Sequence, residues 1–179
     1  MTKALQHTRT MIVFALLGTI LFLSDIIFEA IPNVHGIAPL LISYTIVYRW
    51  RALISLYIYV ALTGISWGFH PSFIPYLYIW LPLFLLAHLV KRTWKKPLRA
   101  ALYCAIAALH GIAFGLLYVP FWSYVMGFDL QMTLAWVAAG LPFDLAHAIG
   151  NTLFATLAIP IASLLSRLEK GSPTANHKL

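Results

Sequence analysis

All twelve Lys and Arg residues of this 179-residue chain lie at its N-terminus, in two of the connections between apolar segments, or beyond the last apolar segment. Lys3 and Arg9 precede the first apolar run, and Arg49 and Arg51 separate the second from the third. Lys91, Arg92, Lys95, Lys96 and Arg99 separate the fourth from the fifth, and Arg167, Lys170 and Lys178 follow the sixth. Cytoplasmic loops of membrane proteins are the ones that retain Lys and Arg. The pattern therefore predicts six crossings with both termini inside, and connections around Asn33, His70 and Asp129 that face outward.

Composition agrees with a bilayer as solvent. Hydrophobic residues make up 61% of the chain and charged residues 9%, with a mean hydropathy of +0.86, more apolar surface than a soluble domain of this size needs. A net charge of +7 in a soluble protein points to nucleic acid or an acidic ligand. Here the charge is confined to one membrane face, where topology and anionic headgroups account for it, and no nucleic-acid partner is expected. The single Cys104 sits inside an apolar segment, which excludes an intramolecular disulfide and a cysteine metal cluster.

The expected fold is an all-α integral membrane protein, a six-helix transmembrane bundle with its N- and C-termini inside. Residues 1–10 form a cytoplasmic N-terminus, 11–168 a single six-span membrane domain, and 169–179 a disordered cytoplasmic tail. The spans read as 11–31, 37–48, 52–67, 73–90, 100–121 and 142–165. A helix needs about 20 residues to cross a ~30 Å hydrocarbon layer, so the second and third are short and need neighbouring residues or a thinned bilayer. Residues 122–140 are too polar at Asp129 and Gln131 to span yet rich in aromatics, and are expected to form an outer loop with an interfacial helix.

Ionisable side chains are expensive inside a membrane and default to functional roles. Asp25 and Glu29 are one turn apart on one face of the first span, with Asn33 and His35 just beyond. Asp144, His147 and Asn151 recur at i, i+3 and i+7 on the last. The first span runs outward and the last inward, so both stripes fall in the outer half, where a shared pocket satisfies both. That half holds no Lys or Arg and three carboxylates, which suits a cationic or neutral polar ligand. Trp67, Tyr76, Trp80 and Trp136 are candidate walls for stacking on a heteroaromatic ring.

Structural roles compete at each position. Asp144, two residues after Pro142, fits the first turn of a helix, where an acid favours the dipole. Asp25 and Glu29 fit wetted positions near the interface, and His110 fits a hydrogen-bonded packing residue. Ala107, Gly111 and Gly115, spaced by four, form a face for close helix packing within the molecule, while Ala15, Gly18 and Thr19 form a small-residue patch on the first span that is open to another subunit.

The stretch Gly140-Leu-Pro-Phe-Asp-Leu-Ala-His-Ala-Ile-Gly-Asn151, followed by an apolar run and Ser166-Arg-Leu, resembles the last-helix signature of the substrate-binding S components of energy-coupling factor (ECF) transporters. Ile31-Pro-Asn33 after the first span is similar to the same group, as are the size and topology. The resemblance implies a multi-pass subunit of a prokaryotic plasma membrane that captures a vitamin-like small molecule from outside. It implies partners as well: a transmembrane coupling subunit, reached through Ala15, Gly18 and Thr19, and two cytoplasmic ATPase subunits. The chain has no Gly-x-x-x-x-Gly-Lys-Ser/Thr sequence, so ATP hydrolysis falls to those subunits; the chain is not expected to be an enzyme or to hold a cofactor or metal. The alternatives are a membrane-embedded enzyme using Asp144, His147 and Asn151 as metal ligands or as acid and base, and a scaffold for envelope assembly.

Overall fold

Apolar side chains cover the outside of this molecule, and much of its polar chemistry is inside. Leu16, Ile54, Leu85, Leu116, Ile149 and Leu153 stand exposed on five different helices, while Ser43, Thr45, Ser55, His110, Asp144, His147 and Asn151 are buried. This inverts the soluble arrangement, in which large exposed apolar surfaces are rare. The computed structural model describes residues 3–29 and 35–170, all-helical apart from turns and connections. Five stretches are long and apolar enough to cross a membrane: Ala4–Ile27, Ile37–Trp67, Pro71–Leu89, Lys96–Met126 and Leu130–Ala155. The chain has the build of a multi-pass membrane protein.

The helices are α1 (Lys3–Ile27), α2 (Ile37–Tyr48), α3 (Ala52–Trp67), α4 (Leu81–Leu89), α5 (Lys96–Met126), α6 (Leu130–Ala155) and α7 (Ala158–Lys170). The stretch from Ile37 to Trp67 doubles back on itself. Tyr44 donates its hydroxyl to the Leu17 carbonyl (3.3 Å) and Tyr48 packs on Phe14, so α2 runs against α1. Ser55 donates to the Phe14 carbonyl (3.2 Å) and Tyr59 to the Asp25 carboxylate (3.1 Å), so α3 runs with α1. The reversal is a 3-10 turn at Arg49–Arg51. It is entered through Arg49 at φ 54°, a left-handed conformation uncommon for a residue with a side chain. The Arg49 guanidinium donates to the His88 carbonyl (2.7 Å), and Arg92 donates to the Ile46 and Val47 carbonyls. Together they tie the turn to the end of α4 and satisfy last-turn carbonyls of α2. Arg9, at the start of α1, pairs with Glu169 of α7 (3.4 Å), so the basic segments gather at one end of the bundle.

The expected fourth span, 73–90, is broken. A 3-10 segment, Pro71–Leu77, leads through residues 78–80 into the nine-residue α4. Pro75 and Pro82 supply no N–H and disfavour α geometry in the residues before them. Irregular backbone at membrane depth must be buried in protein or line a cavity; here Pro75, Ile79 and Trp80 are buried while Ile74 and Leu77 face outward. The Ile79 amide returns to the Pro75 carbonyl (2.8 Å), the Ile79 carbonyl accepts from His110 Nε2 (2.9 Å), and Tyr78 reaches across to the Leu117 carbonyl (3.0 Å).

Residues 122–140 do not form an interfacial loop. They divide between the end of α5 and the start of α6, joined by a tight turn at 127–129. Gly127 ends α5 at φ 66°, the Gly127 and Phe128 amides return to the Ser123 carbonyl, and Asp129 Oδ1 accepts the Met132 amide (2.7 Å) as the N-cap of α6. The polarity at Asp129 and Gln131 is turn chemistry. α5 and α6 have 31 and 26 residues, about 46 and 39 Å at ~1.5 Å per residue, both longer than a hydrocarbon layer. The expected last span, 142–165, also differs. Pro142 lies inside α6, and the helix breaks at Thr156 and Leu157 because Pro160 cannot donate to the carbonyl four residues back. At the termini, α1 already begins at Lys3 and α7 reaches Lys170, where separate cytoplasmic segments were expected; residues 171–179 lie outside the described residues.

Candidate functional site

A helix stripe at i, i+3, i+4 and i+7 presents one face, and on α6 that face carries Asp144, His147, Ala148 and Asn151, all buried. Phe143, Leu145, Ile149 and Leu153 on the other faces are exposed. The stripe packs on α5, where small residues permit close approach. A Cβ added at Gly111 would lie 2.5 Å from the Ala148 Cα, and one at Gly115 would lie 2.5 Å from Asp144 Oδ2. The seam is therefore built from the small-residue face of α5 and the polar face of α6.

Asp144 is not in a first helical turn, since α6 starts at Leu130. Its Oδ1 accepts the Gly115 amide of α5 at 2.9 Å, so it fastens the two helices together. Asp144→Ala strips a part-buried amide of a charge-assisted partner and is expected to destabilise the protein by about 1.5 to 3 kcal/mol, read as a lowered melting temperature in detergent. A melting temperature equal to wild type would show that this contact carries no stability.

His147 is fully buried beside Asn151, which is 1% exposed. Its ring meets His35 edge-on (centroids 4.6 Å), Phe114 (4.4 Å) and His110 (6.1 Å). Trp80 stacks on His110 at 5.1 Å and 28° and meets His35 at 5.5 Å. His110 lies 14 residues along α5 from Lys96, about 21 Å from the basic end of that helix. This places the nest well inside the bundle.

The polar atoms of this nest are mostly unspent. His110 donates Nε2–H to the Ile79 carbonyl, which leaves its Nδ1 as an acceptor. That atom has no partner, nor do His35 Nδ1, Trp80 Nε1, Asn151 Oδ1 or either nitrogen of His147. Asn151 Nδ2 reaches the Ala107 carbonyl at 3.4 Å. A buried polar atom without a partner costs about 1 to 3 kcal/mol, and native proteins leave few of them. Six converge here, donors and acceptors together, among flat aromatic faces. The arrangement suits a compact heteroaromatic ligand with hydrogen-bonding edges.

Asp25 of α1 joins the nest from the other side. It accepts the Tyr59 hydroxyl at 3.1 Å, and the Tyr59 ring lies 6.3 Å from Trp80, with Tyr76 and Tyr118 near the same carboxylate. The first and the last long helices thus turn their polar residues toward one interior. Among the expected site residues, Asp25, His35, Tyr76, Trp80, Asp144, His147 and Asn151 lie in or beside it.

Others do not. Glu29 is exposed. Trp67 is 51% exposed at the end of α3, and Trp136 packs on Phe128 near the α5–α6 turn. Trp136 lies eleven residues before His147 on α6, about 16 Å along the helix axis. Asn33 lies outside the described residues. Gly18, expected on a partner-facing patch, is covered by α3, where an added Cβ would meet Ile58 at 2.6 Å; Ala15 remains exposed and Thr19 half-buried. His110 packs as expected, yet it also lines the nest. Phe114 and Tyr59 were not singled out. The spacing of His110 and Phe114 at i, i+4, beside the Gly111/Gly115 face, was the available signal. Among the described residues no group of three or more His, Cys, Asp or Glu side chains is arranged to hold a metal ion.

Compared with protein-family models, with curated proteins and with solved structures, the chain has no match.

Proposed function

We propose that this protein is the substrate-binding S component of an ECF-type importer, in a prokaryotic plasma membrane. In this reading it is a six-span protein with both termini inside. It captures a vitamin-like molecule, cationic or neutral and heteroaromatic, from outside and delivers it through a separate coupling subunit driven by two ATPases. The observation that carries the reading is the nest of unpartnered donors and acceptors around His147, walled by Trp80 and Phe114 and flanked by Asp25. A structural core gains nothing from leaving these atoms unpaired, whereas a ligand that pairs them recovers their cost on binding. Two further features support it: the resemblance of residues 140–151 to the family's last helix, and the broken segment 71–89, irregular backbone of the kind that membrane proteins place against cavities. The gathering of Arg9, Arg49, Arg92, Arg99, Arg167 and Lys170 at one end supports the orientation.

The test is a melting screen of the purified protein in detergent against nucleobases, thiazoles, pteridines, pyridines and other vitamin rings. One ligand is expected to stabilise it by about 4 kcal/mol at a thousandfold excess over Kd. In liposomes the same protein should bind that ligand without accumulating it. Sustained uphill uptake by the chain alone would sink the assignment.

A further inference from the structure

At the basic end of the bundle, α2, α5 and α7 and the α4–α5 connection line an open cavity of about 500 Å³. Arg92, Arg99, Arg167 and Lys170 line it, with no carboxylate in its wall. The one acid on the same stretch of α7, Glu169, is engaged elsewhere by Arg9 (3.4 Å) and the Tyr48 hydroxyl (3.2 Å). Three of the four cations have local explanations. Arg92 covers the α2 carbonyls Ile46 and Val47, and Arg167 and Lys170 sit in the last turn of α7, where cations favour the helix dipole. Arg99 has none: its Nε is buried without a partner. Four like charges around one cavity repel each other, and a buried guanidinium donor left unpaired adds to that cost.

We propose that this cavity is a binding site for a phosphate-bearing anion, seating the headgroup of an anionic phospholipid. A phosphate offers several acceptor oxygens in the geometry that the Arg fork matches, so one group engages Arg99 and Arg167 together. The remainder of the wall favours a lipid as its source. Ile46, Val47, Ile159 and Ala162 line the same cavity, an apolar wall for acyl carbons beside the cations. Basic pockets between transmembrane helices recognise such headgroups. The inference does not depend on the transport reading, since it concerns the start of α5 and not the nest around His110 at its middle.

The experiment uses the full chain in detergent, with short-chain phosphatidylglycerol, phosphatidylcholine and inorganic phosphate as probes, read by melting temperature and by native mass spectrometry. Phosphatidylglycerol should raise the melting temperature and remain as a bound adduct, and phosphatidylcholine should not. Arg99→Gln with Arg167→Gln should weaken phosphatidylglycerol about tenfold or more, as expected for lost charge-assisted hydrogen bonds. Lys95→Gln, outside the cavity, should leave it unchanged, and Arg99→Lys should recover part of the loss. Saturable stabilisation by inorganic phosphate with the same variant pattern would uphold the phosphate site and overturn the lipid as its source. No stabilisation by any anionic probe, or equal weakening by Lys95→Gln, would overturn the site itself.

Discussion

Gly111→Ala is expected to cost this protein about 3 kcal/mol or more and to remove the monodisperse folded peak in mild detergent. The added Cβ would lie 2.5 Å from the Cα and 2.6 Å from the amide nitrogen of Ala148, and backbone atoms cannot rotate aside. Relief requires α5 and α6 to separate along their whole seam, at the upper end of what overpacking costs. Gly64→Ala is the internal control. There the atoms nearest the new methyl belong to the ring of Phe69, an exposed side chain that can swing into lipid or water, and alanine is favoured over glycine in a helix by about 1 kcal/mol. Gly64→Ala should therefore melt within about 1 kcal/mol of wild type. Equal melting temperatures for the two variants would show that α5 and α6 do not pack as described, and the site between them would go with that packing.

The contrast also marks what one sequence can reveal. The spacing by four of Ala107, Gly111 and Gly115 identified a close-packing face, and the i, i+3, i+7 spacing of Asp144, His147 and Asn151 identified a polar one. Each periodicity is a property of a single helix, and each is seen in the fold. Which face meets which is a matter of register between helices, and no single helix encodes it. His110 therefore passed as a packing residue and Phe114 went unremarked although they complete the nest around His147, while Trp67 and Trp136 were placed in a pocket they do not reach. The ends of α2 and α3 were legible because Arg49, Arg51 and Gly68 punctuate the apolar runs sharply. Residues 122–140 were misread because Asp129 was weighed as a polar residue unable to cross a membrane. Its place two residues after Gly127 makes it the N-cap of a new helix. Prolines misled in the same way: Pro142 was read as a helix start, yet it is accommodated within α6, whereas Pro160, unremarked, marks the break into α7.

His147→Leu is expected to move stability and binding in opposite directions, a combination that separates a ligand site from a core. The wild-type imidazole is fully buried with neither nitrogen paired, so it carries the cost of at least one buried polar group. Leucine fills a similar volume without that cost. The ligand-free variant should melt at or above wild type, by as much as 1 to 3 kcal/mol. Affinity for the ligand found by the melting screen should fall by about 1.5 to 3 kcal/mol, roughly tenfold to more than a hundredfold. Asn151→Leu should follow it in binding. It should gain less in stability, because its amide also bonds the Ala107 carbonyl across the seam. Leu153→Ala, at an exposed apolar position on α6, should leave affinity unchanged. A His147→Leu protein that loses several kcal/mol while binding as wild type would mean that the imidazole belongs to the core and that the nest binds nothing. Loss of both properties would point to a folding defect, and unfolding melts recorded without ligand distinguish that outcome directly. The two readouts are decisive only together, since any buried unpaired polar group gains stability when its polar atoms are removed, and only one that contacts the ligand loses affinity at the same time.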